Sequence, residues 1–164
     1  MEEEWRAVPG HPNHRVSSEG RVWSGLKGPG RILRSAVDQY GYPIVSLWDP
    51  VERRGQSRRV HILMLEAFVG PRPPGAVIRH LDSDPANCVL TNLAYGTHSE
   101  NGLDAVRNGT HVQASKTHCP LGHPFSPTNT YIRRDRPNRR ECRACRRIAS
   151  AKRAKKRGED NRLG

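Results

Sequence analysis

Residues 80–101, HLDSDPANCVLTNLAYGTHSEN, decide how this chain folds. Asp, Pro and Asn crowd the stretch 81–87, LDSDPAN, so the backbone must turn there. Residues 76–80 before the turn and 89–95 after it carry enough apolar side chains for two short paired strands. Thr97, with Glu100 three residues on, fits a capping box, in which each side chain satisfies a backbone N–H of the other residue. A helix is therefore predicted from His98 to Arg107, closed by Asn108-Gly109. The unit reads as ββα. It concentrates two histidines, three asparagines and two aspartates.

Upstream, Arg58–Val69 (RRVHILMLEAFV) is the most apolar stretch, is rich in good helix formers and stops at Gly70-Pro71. It is predicted to be a helix with one buried face, and His61 on it is read as a structural histidine. Pro71–Gly75 reads as a rigid linker, and Asp49–Ser57 as a polar turn. Within residues 1–48, the runs RVSSEGRVWS and GYPIVSLW alternate apolar and polar residues between glycines, as short strands do. Trp5, Val16, Val22, Trp23, Ile32, Val45 and Leu47 are expected to make a small β core. His11 and His14 carry no assignable role.

The sequence of 164 residues has a formal charge of +12, and that charge is unevenly placed. Residues 1–114 net only +1, whereas residues 115–164 hold 15 Lys/Arg against 4 Asp/Glu, a net of +11. A basic tail on a near-neutral body implies a polyanionic partner, most simply nucleic acid. Mean hydropathy is −0.80. No apolar run approaches the ~20 residues that span a membrane. The acidic start, MEEEWRAVPG, lacks an apolar signal core, so a cytoplasmic protein is expected. In a reducing compartment cysteines favour metal over disulfides.

Cysteine spacing supports that preference. Cys119-x3-His123 is followed, after an 18-residue loop, by Cys142-x2-Cys145. Two close pairs with a loop between them are the layout of a tetrahedral zinc site, and four protein ligands leave no open position, so the metal is read as structural. The loop is too polar to fold without it. His118 is the weaker candidate beside Cys119, and Cys88 reads as a lone thiol. Around this knuckle stand Arg133, Arg134, Arg136, Arg139, Arg140, Arg143, Arg146 and Arg147, whose guanidinium forks match phosphate geometry. Residues 148–164 form a basic tail, whose first turns are expected to be helical on DNA and disordered off it.

His80, Asn92 and Asn101 stand at offsets of 12 and 21 inside the string quoted above. Together with VHILMLEAFVGPRPPG upstream, that string resembles the HNH (His-Me finger) endonuclease family in its phage and intron homing-endonuclease branch. Residues 2–47 resemble the NUMOD-type domain that often precedes such nucleases. The resemblance implies an α+β protein of small modules: a β-rich DNA-binding domain at 1–48, a ββα-metal core at 58–111, a zinc knuckle at 115–147 and the basic tail.

It also implies roles. His80 is the general base and Asn92 orients it by accepting the imidazole N–H. Asn101 binds a divalent metal, Mg²⁺ or Mn²⁺, through its side-chain oxygen. Such a cation stabilises the departing oxyanion of a phosphodiester. Many members place an acidic or histidine ligand directly before the catalytic histidine; here that position is Arg79. The second ligand then falls to Asp82 or His98, and Arg79 is free to hold a DNA phosphate. The implied activity is metal-dependent hydrolysis of double-stranded DNA, as a nick or a double-strand cut, leaving 5′-phosphate and 3′-hydroxyl ends. A single nuclease core with no obvious dimer face favours nicking; a monomer is favoured, in the host cytoplasm if phage-encoded. A non-catalytic DNA-binding protein with a degenerate core is the alternative. A ribonuclease is disfavoured by the scarcity of aromatics for base stacking.

Overall fold

The computed structural model describes residues 2–49 and 52–160, which form two compact units, residues 1–111 and 112–164. Helices and strands are mixed in both.

The first unit begins with a four-stranded antiparallel sheet, β1 (Trp5–Val8), β2 (His11–Ser17), β3 (Val22–Ser24) and β4 (Arg31–Ile32), in sequence order. A three-stranded antiparallel sheet follows, β5 (Ala36–Val37), β6 (Pro43–Asp49) and β7 (Arg54–Arg59). Strand β7 runs directly into α1 (Val60–Phe68). The last part is the hairpin β8 (Val77–His80) and β9 (Leu93–Gly96), a 3-10 turn at Leu90–Asn92 just before β9, and α2 (His98–Arg107).

One hydrophobic core serves this whole unit. Val8, Val16 and Val22 from the first sheet cluster with Val45 and Leu47 of β6, with Val60, Leu63, Met64 and Leu65 of α1, and with Leu93 of β9. The boundary expected at residue 48 is therefore not a break in packing. Backbone contacts tie the same parts together: Leu90 N–H donates to the Ser18 carbonyl at 2.9 Å, and Gly20, at φ +80°, lets the β2–β3 turn approach Cys88. A Cβ at Gly20 would lie 3.0 Å from the Cys88 carbonyl oxygen.

Several expectations need correction. Asp49–Ser57 is not wholly a turn, because residues 54–59 pair with β6 from Ile44↔Arg59 to Asp49↔Arg54. Its sequence, RGQSRR, lacks apolar alternation, but strand pairing is a backbone interaction and tolerates polar side chains. Consequently α1 begins at Val60, not at Arg58. Asn92 ends a 3-10 turn and does not lie in the returning strand, which starts one residue later. Ile32 is 46% exposed and outside the core. His11 and His14, left without a role, are buried on β2.

The second unit contains a short α3 (Val112–Ser115), the hairpin β10 (Thr130–Arg133) and β11 (Arg136–Cys142), and α4 (Arg143–Asp160). The hairpin fills most of the polar loop between the two ligand pairs. The basic tail, expected to be ordered only on DNA, is helical through Asp160; its last four residues, 161–164, lie outside the described residues. No helix among the described residues is long and apolar enough to cross a membrane.

Candidate active site and metal centre

His80 ends β8 and is 8% exposed, yet it lines a cleft of about 500 Å³ together with Asn101, Arg59, Tyr40, Tyr42 and Thr110. Asn101 lies on the first turn of α2, whose start is fixed by the capping box: Thr97 Oγ1 accepts the Glu100 N–H and a Glu100 carboxylate oxygen accepts the Thr97 N–H. Burial lowers the His80 pKa, against Asp82 and Asp84, which raise it. The imidazole is thus neutral near pH 7 and able to accept a proton.

Asn92 does not hold the ring of His80. Its side-chain oxygen accepts the Asp82 N–H at 3.0 Å, and its amide donates to Asp82 Oδ1 and to the Asn87 carbonyl, both at 2.9 Å. Its backbone carbonyl accepts the Leu81 N–H at 2.9 Å. Asn92 therefore fixes the two residues that follow His80 and positions the histidine through the main chain.

Asp82 is equally committed. Its Oδ1 also accepts the Asp84 N–H and its Oδ2 accepts the Asn87 amide at 2.7 Å, so both oxygens serve the loop and Asp82 does not line the cleft. His98 is exposed at the start of α2 and is likewise not among the cleft-lining residues.

Arg79 is withdrawn from phosphate contact. Its guanidinium donates to Asp104 Oδ2 at 2.7 Å and lies 3.3 Å from Glu100, and its side chain is only 15% exposed. Asp104, 1% exposed, accepts a second guanidinium from Arg107 at 2.8 Å. The hydrogen bond from Arg79 holds the Asp104 carboxyl below the ordinary range. Two carboxylates thus cancel the charge that would repel a cation beside His80. The cluster also clamps β8 against α2, which brings His80 and Asn101 to one cleft. At the other end of α2, Asn108 donates to the Leu81 carbonyl at 2.7 Å and to Ser83 Oγ.

Sequence reading passed over Arg59 and Tyr42. Asp38 accepts the backbone N–H groups of Tyr40 and Tyr42 at 2.8 and 3.0 Å and pairs with Arg59 at 2.6 Å. The Arg59 guanidinium lies 4.5 Å from the Tyr42 ring centroid. An Arg-Arg pair before an apolar helix carries no motif that would reveal this role.

In the second unit the four expected ligands converge. Cys119 Sγ lies 3.4 Å from His123 Nδ1 and 3.5 Å from Cys145 Sγ, and Cys145 Sγ lies 3.4 Å from the same nitrogen. All four donor atoms, with Cys142, fall within 4.8 Å of one another. The sulfurs are too far apart for a disulfide, whose bond is about 2.05 Å. They suit the edge of a tetrahedron, about 3.8 Å for metal–sulfur bonds of ~2.3 Å. Burial opposes ionisation of Cys142, but hydrogen bonds from the Cys145 N–H and the Asn129 amide outweigh it and draw the thiol down to about 6. Gly122, at φ +77°, closes the turn between the first two ligands. His118 bonds Thr117 instead and stands outside the set.

The arginines around this centre divide. Arg140 donates to the carbonyls of Gln113, Ala114 and Lys116 and stacks on Phe125. Arg133 is paired through two bonds with Asp135, Arg143 donates to the Thr130 carbonyl, and Arg146 covers Tyr131 at 4.3 Å. Arg134, Arg139 and Arg147 are exposed, with no ion pair among the described residues.

A hairpin and a capped helix thus bring a buried histidine and a helix-borne asparagine to one cleft. Residues 58–103 match the HNH endonuclease family and residues 3–48 match the NUMOD4 motif. The chain is homologous to the DNA endonuclease I-HmuI of Bacillus phage SP01, at 30% identity over 108 residues, 65% of this chain. A solved structure described as DNA binding and cleavage by the HNH homing endonuclease I-HmuI resembles it with a TM-score of 0.56 at 28% identity, covering 65% of this chain. The chain spans 60% of the length of that relative.

Proposed function

We propose that this protein is a metal-dependent DNA endonuclease of the HNH class, hydrolysing phosphodiester bonds to 5′-phosphate and 3′-hydroxyl ends. The observation that carries the reading is the meeting of a neutral His80 with Asn101 and Arg59 in one cleft. His80 takes the proton of the attacking water. The side-chain oxygen of Asn101 suits a hard cation, Mg²⁺ or Mn²⁺. Among the described residues no carboxylate lines the cleft, so water and phosphate oxygens of the DNA would complete the set, as Mg²⁺ commonly accepts. When bound, the ion stabilises charge on the leaving oxygen. Arg59, anchored by Asp38 and Tyr42, grips a phosphate oxygen of the same strand.

The four-ligand centre of the second unit holds structural Zn²⁺. Arg134, Arg139, Arg147 and the exposed basic residues of α4 contact DNA phosphates without reading sequence. We place the protein in the cytoplasm as a monomer acting on double-stranded DNA.

The test is cleavage of a supercoiled plasmid in Mg²⁺ or Mn²⁺ with end mapping. His80→Ala should lose about 10²- to 10⁴-fold in rate while retaining DNA binding by mobility shift. A second reading, a DNA-binding protein with an inactive core, is favoured by Arg79 standing where an acidic ligand is expected and by the full commitment of Asp82. Tight DNA binding by the unaltered protein with no cleavage in either metal would establish it.

A further inference from the structure

We propose that His61, His80 and Cys88 form a second metal site, selective for Zn²⁺-like ions, whose occupation captures the imidazole of His80 and closes the cleft to catalysis. Metal capture stands by itself; its effect on cleavage rests on the nuclease reading above.

One donor atom from each of these residues lies within 4.8 Å of the other two, and all three residues are buried. They come from three separate places in the fold: the first turn of α1, the end of β8 and the loop before the 3-10 turn. The His61 and His80 rings meet edge to face with centroids 5.1 Å apart. Each carries a buried nitrogen with no hydrogen-bond partner, Nδ1 of His61 and Nε2 of His80. Leaving such a group unsatisfied costs about 1–3 kcal/mol, and an unbound ion is one of the few explanations for it. Cys88 is not in a disulfide, and its sulfur accepts the His61 backbone N–H, which fixes it toward the histidines.

The donor set is chemically distinct from that of the catalytic cation. Imidazole and thiolate are borderline and soft ligands that select Zn²⁺, Co²⁺ or Cu²⁺ over Mg²⁺. Three protein ligands leave a fourth position for water, as open zinc sites do. Shortening the present separations to tetrahedral edges asks for side-chain movements of about 1 Å, given bonds of ~2.0–2.3 Å. Burial holds the Cys88 thiol up at about 11, so it is protonated without metal, and its proton passes to solvent as the ion binds. A ring nitrogen that ligates a metal has its lone pair engaged. His80 then cannot accept a proton from water.

The experiment uses the full chain with its C-terminal centre first filled by one equivalent of Zn²⁺, which Co²⁺ displaces poorly. Co²⁺ is then titrated. We expect a second equivalent with a thiolate-to-cobalt charge-transfer band, absent in Cys88→Ser and at least tenfold weaker in affinity in His61→Phe, which keeps an aromatic ring against Tyr42. Uptake of no second equivalent by the unaltered protein, or a second band that persists in Cys88→Ser, overturns the site. In the plasmid assay, Zn²⁺ added over Mg²⁺ should inhibit the unaltered protein at a concentration at least tenfold below that needed for Cys88→Ser. Equal zinc sensitivity would overturn the capture of His80. A second cobalt site in a protein that never cuts DNA would leave this inference standing and remove the nuclease reading.

Discussion

Asp104→Asn is the substitution that most directly tests how the cleft is held together. Asp104 is 1% exposed and accepts from two guanidinium groups, Arg79 at 2.7 Å and Arg107 at 2.8 Å. Removing one partner of a buried ion pair costs about 3–5 kcal/mol, because the remaining charge stays desolvated. Arg79 keeps a second carboxylate, Glu100 at 3.3 Å, so the lower end of that range applies, about 3 kcal/mol. All three tryptophans, Trp5, Trp23 and Trp48, lie in the first unit, so their fluorescence follows its unfolding alone. With a urea dependence of about 1–3 kcal/mol/M, the midpoint should fall by about 1–3 M. Cleavage should fall further than stability alone explains, since Asn101 stands one turn before Asp104 on α2. Replacing both charges, as Arg79→Met with Asp104→Leu, should recover most of the lost stability, because the two charges that lose a partner, Arg107 and Glu100, are solvent-exposed. A midpoint unchanged within about 0.3 M for Asp104→Asn, where the quoted slope predicts a clear shift, would refute the clamp.

Two further outcomes are expected. Burial, with the neighbouring His80 and Arg59, holds His61 down at about 4, whereas in the unfolded chain it titrates near 6.5. Between those values the unfolded state binds more protons, so stability is full above pH 6.5 and falls with pH. After allowance for solvent screening the loss from pH 7 to 5 is about 1–2 kcal/mol; urea midpoints measured at the two pH values, unequal in the parent and closer in His61→Phe, check it. Removing zinc with a strong chelator should abolish amide-exchange protection across residues 119–145 and leave tryptophan fluorescence unchanged; protection that survives in metal-free protein would show that the hairpin folds unaided.

Much of this architecture was legible because it rests on local chemistry. The Thr97–Glu100 capping box lies within one turn, so its residues alone predict where α2 starts, and the close Cys/His pairs likewise predict their meeting. What escaped reading depends on partners distant in sequence. Arg79 looked like a free cation because Asp104 is 25 residues away. The carboxamide of Asn92 serves the Asp82–Asn87 loop and not the imidazole, a choice that residue spacing alone does not disclose. Strand β7 has no apolar alternation and is specified by its pairing with β6. His61 read as an ordinary core residue, and nothing in its neighbours announced that His80 and Cys88 would reach it.

The core shared by the first sheet and α1 has a practical consequence for anyone wishing to retarget this protein. Residues 3–48 and 58–103 match two different families, which invites exchange of the leading segment as a cassette. A graft cut near residue 48 would pass through the interior of the molecule and strand Leu63, Met64 and Leu65 against a foreign surface. A workable chimera must transplant the inward faces of β2, β3 and β6 together with whatever exposed residues confer the new preference.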